Sequence, residues 1–189
     1  MRNIRMLAFG AMLLASGPAL AQAPAAPAAP PPPPFTLTST SFQDGGVIPD
    51  KYTQAVPAPI SPALSWINTP AGTASFVLIM HDPDTAPRKS IVDILHWMAF
   101  NIPGTATSLP EGVANSPTLP DGTVQPNNFG GKPGFMGPGS RGIYHHYTIE
   151  LFALDSKLSL GADATRALVV DAMEGHIVGK AVIEGRFKR

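Results

Sequence analysis

Residues 75–103 read SFVLIMHDPDTAPRKSIVDILHWMAFNIP. The first six, SFVLIM, are apolar on both faces, which suits a central strand covered on each side. Their shortness and the flanking turns favour a strand over a buried helix. A polar turn follows, Asp82-Pro83-Asp84, and then a second strand, HWMAFNI at 96–102. A period of two places His96, Met98 and Phe100 on one face of it and Trp97, Ala99 and Asn101 on the other.

The same punctuation continues in both directions. Residues 35–41 (FTLTSTS) alternate apolar and hydroxyl side chains, as a half-buried strand should, and residues 63–67 (ALSWI) give another short run. Residues 143–154 read as a strand with His145, Tyr147, Ile149 and Leu151 on one face, and His146, Thr148, Glu150 and Phe152 on the other. A last strand is expected at 180–185. One helix is expected over 164–174, capped by Asp163 and stopped by Gly175. Residues 103–142 are mostly glycine, proline, asparagine and serine, and so long a loop in a compact domain is expected to wall a pocket. Many short strands and one late helix predict a mainly β, sandwich-like domain with a helical appendage.

The chain opens differently. Arg2 and Arg5 precede an apolar run over 6–15, then Gly17-Pro18 and Ala19-Leu20-Ala21. A basic start, a short apolar stretch and a small-residue end are the parts of a secretory signal peptide, so residues 1–21 are expected to be removed and the protein to be periplasmic or secreted. The apolar run is shorter than the roughly 20 residues of a spanning helix, so stable membrane insertion is not expected. Residues 22–34 (QAPAAPAAPPPPP) bury too little apolar surface to fold and read as a semi-rigid linker. Residues 35–189 are the right size for one domain. Its fourteen prolines, above the usual share of roughly 5 per cent, argue for strands and structured loops rather than helices. There is no cysteine, so packing alone holds the domain and a lipid anchor on cysteine is excluded. Thirteen basic residues balance thirteen acidic ones, and nothing resembles the footprint of a nucleic-acid binder.

Among residues able to do chemistry, Asp82 and Asp84 sit at the rim of a central strand, where sites are often carried, although aspartate beside proline is also ordinary turn chemistry. His96 and His145 each begin an apolar strand. If those ends meet, two imidazoles and Tyr147 can donate to a phosphate or carboxylate. A zinc site would use the same residue types, but no H-E-x-x-H spacing is present and no metal or other cofactor is expected. Ser140 lacks the glycine that a nucleophile elbow needs at 138. Residues 127–137 (NNFGGKPGFMG) lack the ending of a P-loop and read as a flexible loop whose amides can help line an anion pocket. His176 reads as a cap or packing residue, and His81 is left undecided.

Several of these residues together resemble the phosphatidylethanolamine-binding protein family, in its bacterial, Raf-kinase-inhibitor-like branch. They are Asp82-Pro83-Asp84, His96-Trp97 leading to Asn101-Ile102-Pro103, the Gly137-Pro138 pair, and His145-His146-Tyr147 running into Leu151-Phe152-Ala153-Leu154-Asp155. The resemblance covers nearly all of 35–189, with Ile48-Pro49 and Gly175-His176 included. It implies a β-sandwich of two antiparallel sheets with peripheral helices, including one near the C-terminus. It also implies a small pocket for phosphate-like or carboxylate anions, formed by Asp82, Asp84, His96, His145 and Tyr147 with Gly137 near its wall.

Three departures from the family pattern stand out. Thr85 lengthens the usual D-P-D-A-P, Gly139-Ser140-Arg141 replaces a double proline, and His146 stands where an arginine is frequent. The second change is expected to loosen the wall and adds a cation. The expected function is binding of a small anionic ligand with a phosphate-like headgroup. An acid–base enzyme using the same cluster and a kinase or protease inhibitor module are the rivals, and a protein partner or homodimer is left open.

Overall fold

A strand that is apolar on both faces needs a covering layer on each side of its sheet. The computed structural model, which describes residues 31–85, 89, 91 and 93–189, provides both. The elements in chain order are β1 (Thr36–Thr38), β2 (Gly46–Val47), a single 3-10 turn at Asp50–Tyr52, β3 (Leu64–Ile67), β4 (Ser75–Asp82) and β5 (Ile94–Pro103). They continue with β6 (Ser108–Leu109), β7 (His145–Leu154), α1 (Arg166–Met173) and β8 (Ile177–Phe187). The expected leader and residues 22–30 of the linker lie outside the described residues.

Five strands form the larger sheet in the order β2-β8-β7-β4-β5, and three form the smaller one in the order β1-β3-β6. Pairing is antiparallel except for the two-residue β2, which runs parallel to β8. Phe76, Leu78 and Met80 of β4 face the smaller sheet and pack with Leu64, Trp66, Trp97, Ile149 and Ile183. Val77 and Ile79 point the other way, into a second cluster with Met98, Phe100, Val169 and Met173 beneath α1. The fold is therefore a two-sheet sandwich with a helix on its outer face, and β4 is the strand that both layers cover.

Three element boundaries differ from the sequence reading. β1 stops at Thr38 because the hydroxyls of Ser39 and Ser41 take over its hydrogen bonding, to the carbonyl (2.6 Å) and N–H (3.0 Å) of Ala63. α1 is capped by Thr165 rather than Asp163. The Thr165 hydroxyl accepts from the Leu168 N–H at 3.3 Å, while the preceding turn closes from the Ala164 N–H to the Gly161 carbonyl. β8 runs well beyond 180–185, because the long partner β7 offers paired backbone groups from His145 to Leu154.

The long segment over 104–144 is held by side-chain amides. The Gln125 side chain, 1% exposed, accepts from the Trp97 indole N–H at 2.8 Å and donates to the carbonyls of Ala114 (2.8 Å) and Ser116 (2.9 Å). Asn128 donates to the Gly134 carbonyl at 3.0 Å and accepts from the Gly130 N–H at 2.9 Å, and Asn115 holds both backbone groups of Phe135. The stretch 127–137, expected as a flexible loop, is thus pinned by its asparagines. Replacing Gln125→Leu leaves the buried Trp97 indole N–H without its acceptor and removes the donor to the carbonyls of Ala114 and Ser116. It is expected to cost at least about 2 kcal/mol, read as a lower midpoint with unchanged slope in urea unfolding.

Candidate functional site

The site lies at the end of the larger sheet where β4 finishes and β5 and β7 begin. Alternation along β7 puts His145 and Tyr147 on the sandwich-facing side with Ile149 and Leu151, as its sequence pattern requires. On β4 the same alternation brings Asp82 to that side after Phe76, Leu78 and Met80.

β5 arrives differently. Its register with β4 passes from Met80↔Trp97 to His81↔Leu95, skipping His96. That is a β-bulge, and bulges re-aim a side chain where pairing is interrupted. His96 consequently turns to the sandwich side and meets Tyr147 edge-on, with ring centroids 5.1 Å apart. The expectation that His96 shares a face with Met98 and Phe100 is corrected here: those two pack under α1, and Leu95 joins them. The bulge is anchored from outside β5, since the carbonyls of Leu95 and His96 accept from the N–H groups of Phe129 (2.9 Å) and Met136 (2.8 Å).

Four of the six expected site residues, Asp82, His96, His145 and Tyr147, line one cavity of about 350 Å³. Each is held from behind. His96, 3% exposed, donates from Nδ1 to the Met136 carbonyl at 2.8 Å; a carbonyl only accepts, so this fixes the proton on Nδ1 and leaves Nε2. His145 Nδ1 lies 2.8 Å from Asp82 Oδ2, which leaves its Nε2. The other Asp82 oxygen accepts from the Asp84 N–H at 3.0 Å and closes the turn. The Tyr147 hydroxyl accepts from the N–H groups of Gly139 (3.2 Å) and Ser140 (3.1 Å), so its own proton remains to donate. Burial pushes the Tyr147 hydroxyl up to about 12, helped by the Asp82 charge, so it stays protonated at neutral pH. Burial also pushes the His96 imidazole below its ordinary range against the pull of the Met136 carbonyl, and it is held neutral.

The other two expected residues are not on this cavity. Pro83 swings Asp84 outward, where its Oδ2 accepts from the backbone N–H (2.7 Å) and ring Nδ1 (2.8 Å) of His146. Burial opposes ionisation of Asp84, but these bonds outweigh it and keep the carboxyl below its usual range. Gly137 sits behind the wall and lines a neighbouring cavity of about 570 Å³. Its carbonyl accepts from Gln54 Nε2 at 2.9 Å, and a Cβ there would stand 2.9 Å from Pro59.

The cavity has further lining residues that the sequence did not single out as ligands: Gln54, Thr85, Ile94, Phe129, Met136 and Arg141. Thr85, the extra residue of the turn, forms part of this rim. Nor is the wall loosened where the double proline is missing. Ser140 is 5% exposed; its N–H goes to Tyr147, its hydroxyl donates to the Ile143 carbonyl (2.6 Å), and its carbonyl accepts from the Arg189 N–H (3.0 Å).

The chain matches the family model described as phosphatidylethanolamine-binding protein over residues 38–188. A UPF0098 protein of Methanothermobacter thermautotrophicus is 42% identical over 81% of this chain and 98% of its own length. The UPF0098 protein YbhB of Escherichia coli is 35% identical over 68% of this chain and 81% of its own. Among solved structures, a putative phosphatidylethanolamine-binding protein homologue of Chlamydia trachomatis superposes with a TM-score of 0.74 at 32% identity, covering 82% of this chain and 98% of that one. Escherichia coli YbcL gives 0.72 at 31% identity with the same coverage.

The depressed His96 carries a pH signature. In the unfolded chain this ring takes up a proton near the ordinary value of 6.5, and in the folded chain only at lower pH. The unfolded state therefore binds more protons in that window, and this residue's contribution to stability is lost as pH falls through it. Between about pH 7.5 and about pH 5 the melting temperature of wild type is expected to fall relative to His96→Gln, which keeps a donor for the Met136 carbonyl. A difference that stays constant across this range would rule the account out.

Proposed function

Since the chain belongs to the phosphatidylethanolamine-binding protein family, we propose that the cavity at the β4, β5 and β7 ends is a binding site for a small phosphate-type anion. The observation that carries this reading is the spare hydrogen-bonding capacity on the cavity side. Two imidazole Nε2 atoms and one phenol O–H converge on the same space, while their other atoms are held by protein groups.

The three groups are not equivalent. His145, its Nδ1 engaged by Asp82, has Nε2 left to donate to an anionic oxygen. Tyr147 donates a neutral O–H. Neutral His96 offers a lone pair, so it accepts from a P–OH group or a ligand hydroxyl. A phosphate or phosphoester monoanion presents both acceptor oxygens and a hydroxyl and satisfies all three; acetate does so less completely. The basic, apolar, small-residue start of the sequence supports an exported setting for this binding. The Asp82–His145 hydrogen bond is also how a general base is oriented, which makes turnover of a small phosphoester the second reading.

Inorganic phosphate at about 100 times its dissociation constant is expected to stabilise the protein by about 2.7 kcal/mol, read as a higher melting temperature. The rise disappears in His145→Ala. No stabilisation by phosphate, or a rise that survives in His145→Ala, would overturn the proposal. A bell-shaped rate profile on phosphoesters, absent in the same variant, would replace binding with catalysis.

A further inference from the structure

The charges around the cavity are unevenly spent. Both nearby described carboxylates are engaged with histidines, Asp82 with His145 inside and Asp84 with His146 outside. The acid in the floor is Asp82, hydrogen-bonded to His145. A phosphate seated on His96, His145 and Tyr147 therefore lies close to a carboxylate that opposes it. The compensating charge is at the mouth. Arg141 lines the cavity and forms no ion pair among the described residues. Arg189 lies beside it, its guanidinium donating to the carbonyl of the lining residue Gln54 at 3.1 Å. Further out, Arg186 and Lys188 stack on the Tyr144 ring, at 5.5 and 4.7 Å from its centroid.

Arg141 is also positioned. The residues on either side of it are tied to Arg189: the Ser140 carbonyl accepts from the Arg189 N–H at 3.0 Å, and the Gly142 N–H donates to the main-chain oxygen of Arg189 at 3.1 Å. Gly142 turns the chain back at φ +85°, a conformation that suits glycine. The Ser140 N–H meets the same Tyr147 hydroxyl that faces the cavity. The backbone carrying the guanidinium is thus tied to the floor through one shared oxygen. A planar guanidinium carried on this tied backbone, in no ion pair among the described residues, matches a carboxylate or second phosphate in a two-bond contact.

We propose that the ligand is a small phosphoester carrying a second anionic group, its phosphate on His96, His145 and Tyr147 and its second group on Arg141. This rests on the anion-site reading above and narrows it to a class of ligand. Arg141 is the specificity-determining residue for that second group.

Glycerol 3-phosphate and 3-phosphoglycerate test it, because they share a three-carbon phosphoester and differ in a terminal hydroxymethyl against a carboxylate. Calorimetric titration of the full chain at low salt is expected to show 3-phosphoglycerate binding about tenfold more tightly or better. Arg141→Gln brings the two affinities within about twofold of each other, whereas Lys188→Gln, a cation on the outer rim, leaves the preference in place. His145→Ala weakens both ligands together. Equal affinities in the wild type, or a preference that persists in Arg141→Gln, would overturn the proposal while leaving a phosphate site standing. A preference lost equally in Lys188→Gln would assign it to the general field of the mouth and overturn the subsite. Failure of both ligands and of inorganic phosphate to bind would remove the anion site, and this inference with it.

Discussion

Everything in this domain is arranged around a strand that has no solvent face. β4 is buried from Ser75 to Met80 on both sides, so each of its residues must suit one of two covering layers. That condition is easily met while the residues are apolar. It becomes demanding at the strand's end, where His81 and Asp82 must leave by opposite faces with polar side chains. A buried carboxylate or imidazole is costly without partners. The groups that satisfy them come from the turn itself, from Asp93 just before β5 and from His145 and Glu150 of β7, which explains why chemistry gathers at this edge of the sheet.

The sequence made one half of this edge readable. Along β7 the register with β8 runs without a slip from His145 to Ala153, so simple alternation places His145, Tyr147, Ile149 and Leu151 correctly. Along β5 alternation fails at His96. No glycine or proline marks the bulge, because its cause is elsewhere in the chain: the N–H groups of Phe129 and Met136 take the β5 carbonyls at that point. A pattern confined to one strand cannot report a constraint imposed by residues more than thirty positions away. The same holds for the partners of the site residues. The Met136 carbonyl and the Gly139 and Ser140 N–H groups are backbone atoms, the first carried by every residue and the others by every residue except proline.

Asp84 makes a related point. Its spacing from Asp82 suggested two carboxylates at one site, as two residues of one strand face would be. The strand ends at Asp82, however, and the proline between them turns Asp84 towards His146. Each aspartate holds a different histidine, one on each side of β7. The polar turn at the strand end was therefore legible, and the opposite faces taken by its two carboxylates were not. The helix cap follows the same logic: Asp163 and Thr165 are both good capping residues, and the turn closed at Gly161 decides between them.

The two faces at the end of β4 show what separates a polar cluster from a site. On the outer face His81 has a carboxylate near each ring nitrogen, Asp93 at Nδ1 and Glu150 3.6 Å from Nε2. Those acids are engaged in turn, Asp93 by Arg166 and Glu150 by Lys180 at 2.5 Å. Charge is balanced within the network, each member faces another member, and its role is to tie α1 and β8 to the sheet. On the inner face His96, His145 and Tyr147 are each fixed on one side only, by a carbonyl, a carboxylate and two amides. Their remaining atoms open onto the same cavity, which Arg141, in no ion pair among the described residues, also lines. Both faces contain histidine and aspartate in similar numbers, so residue type cannot distinguish them. The distinction lies in unspent valence: the outer cluster has used its hydrogen bonds on itself, and the inner one has used only enough to hold its groups in place.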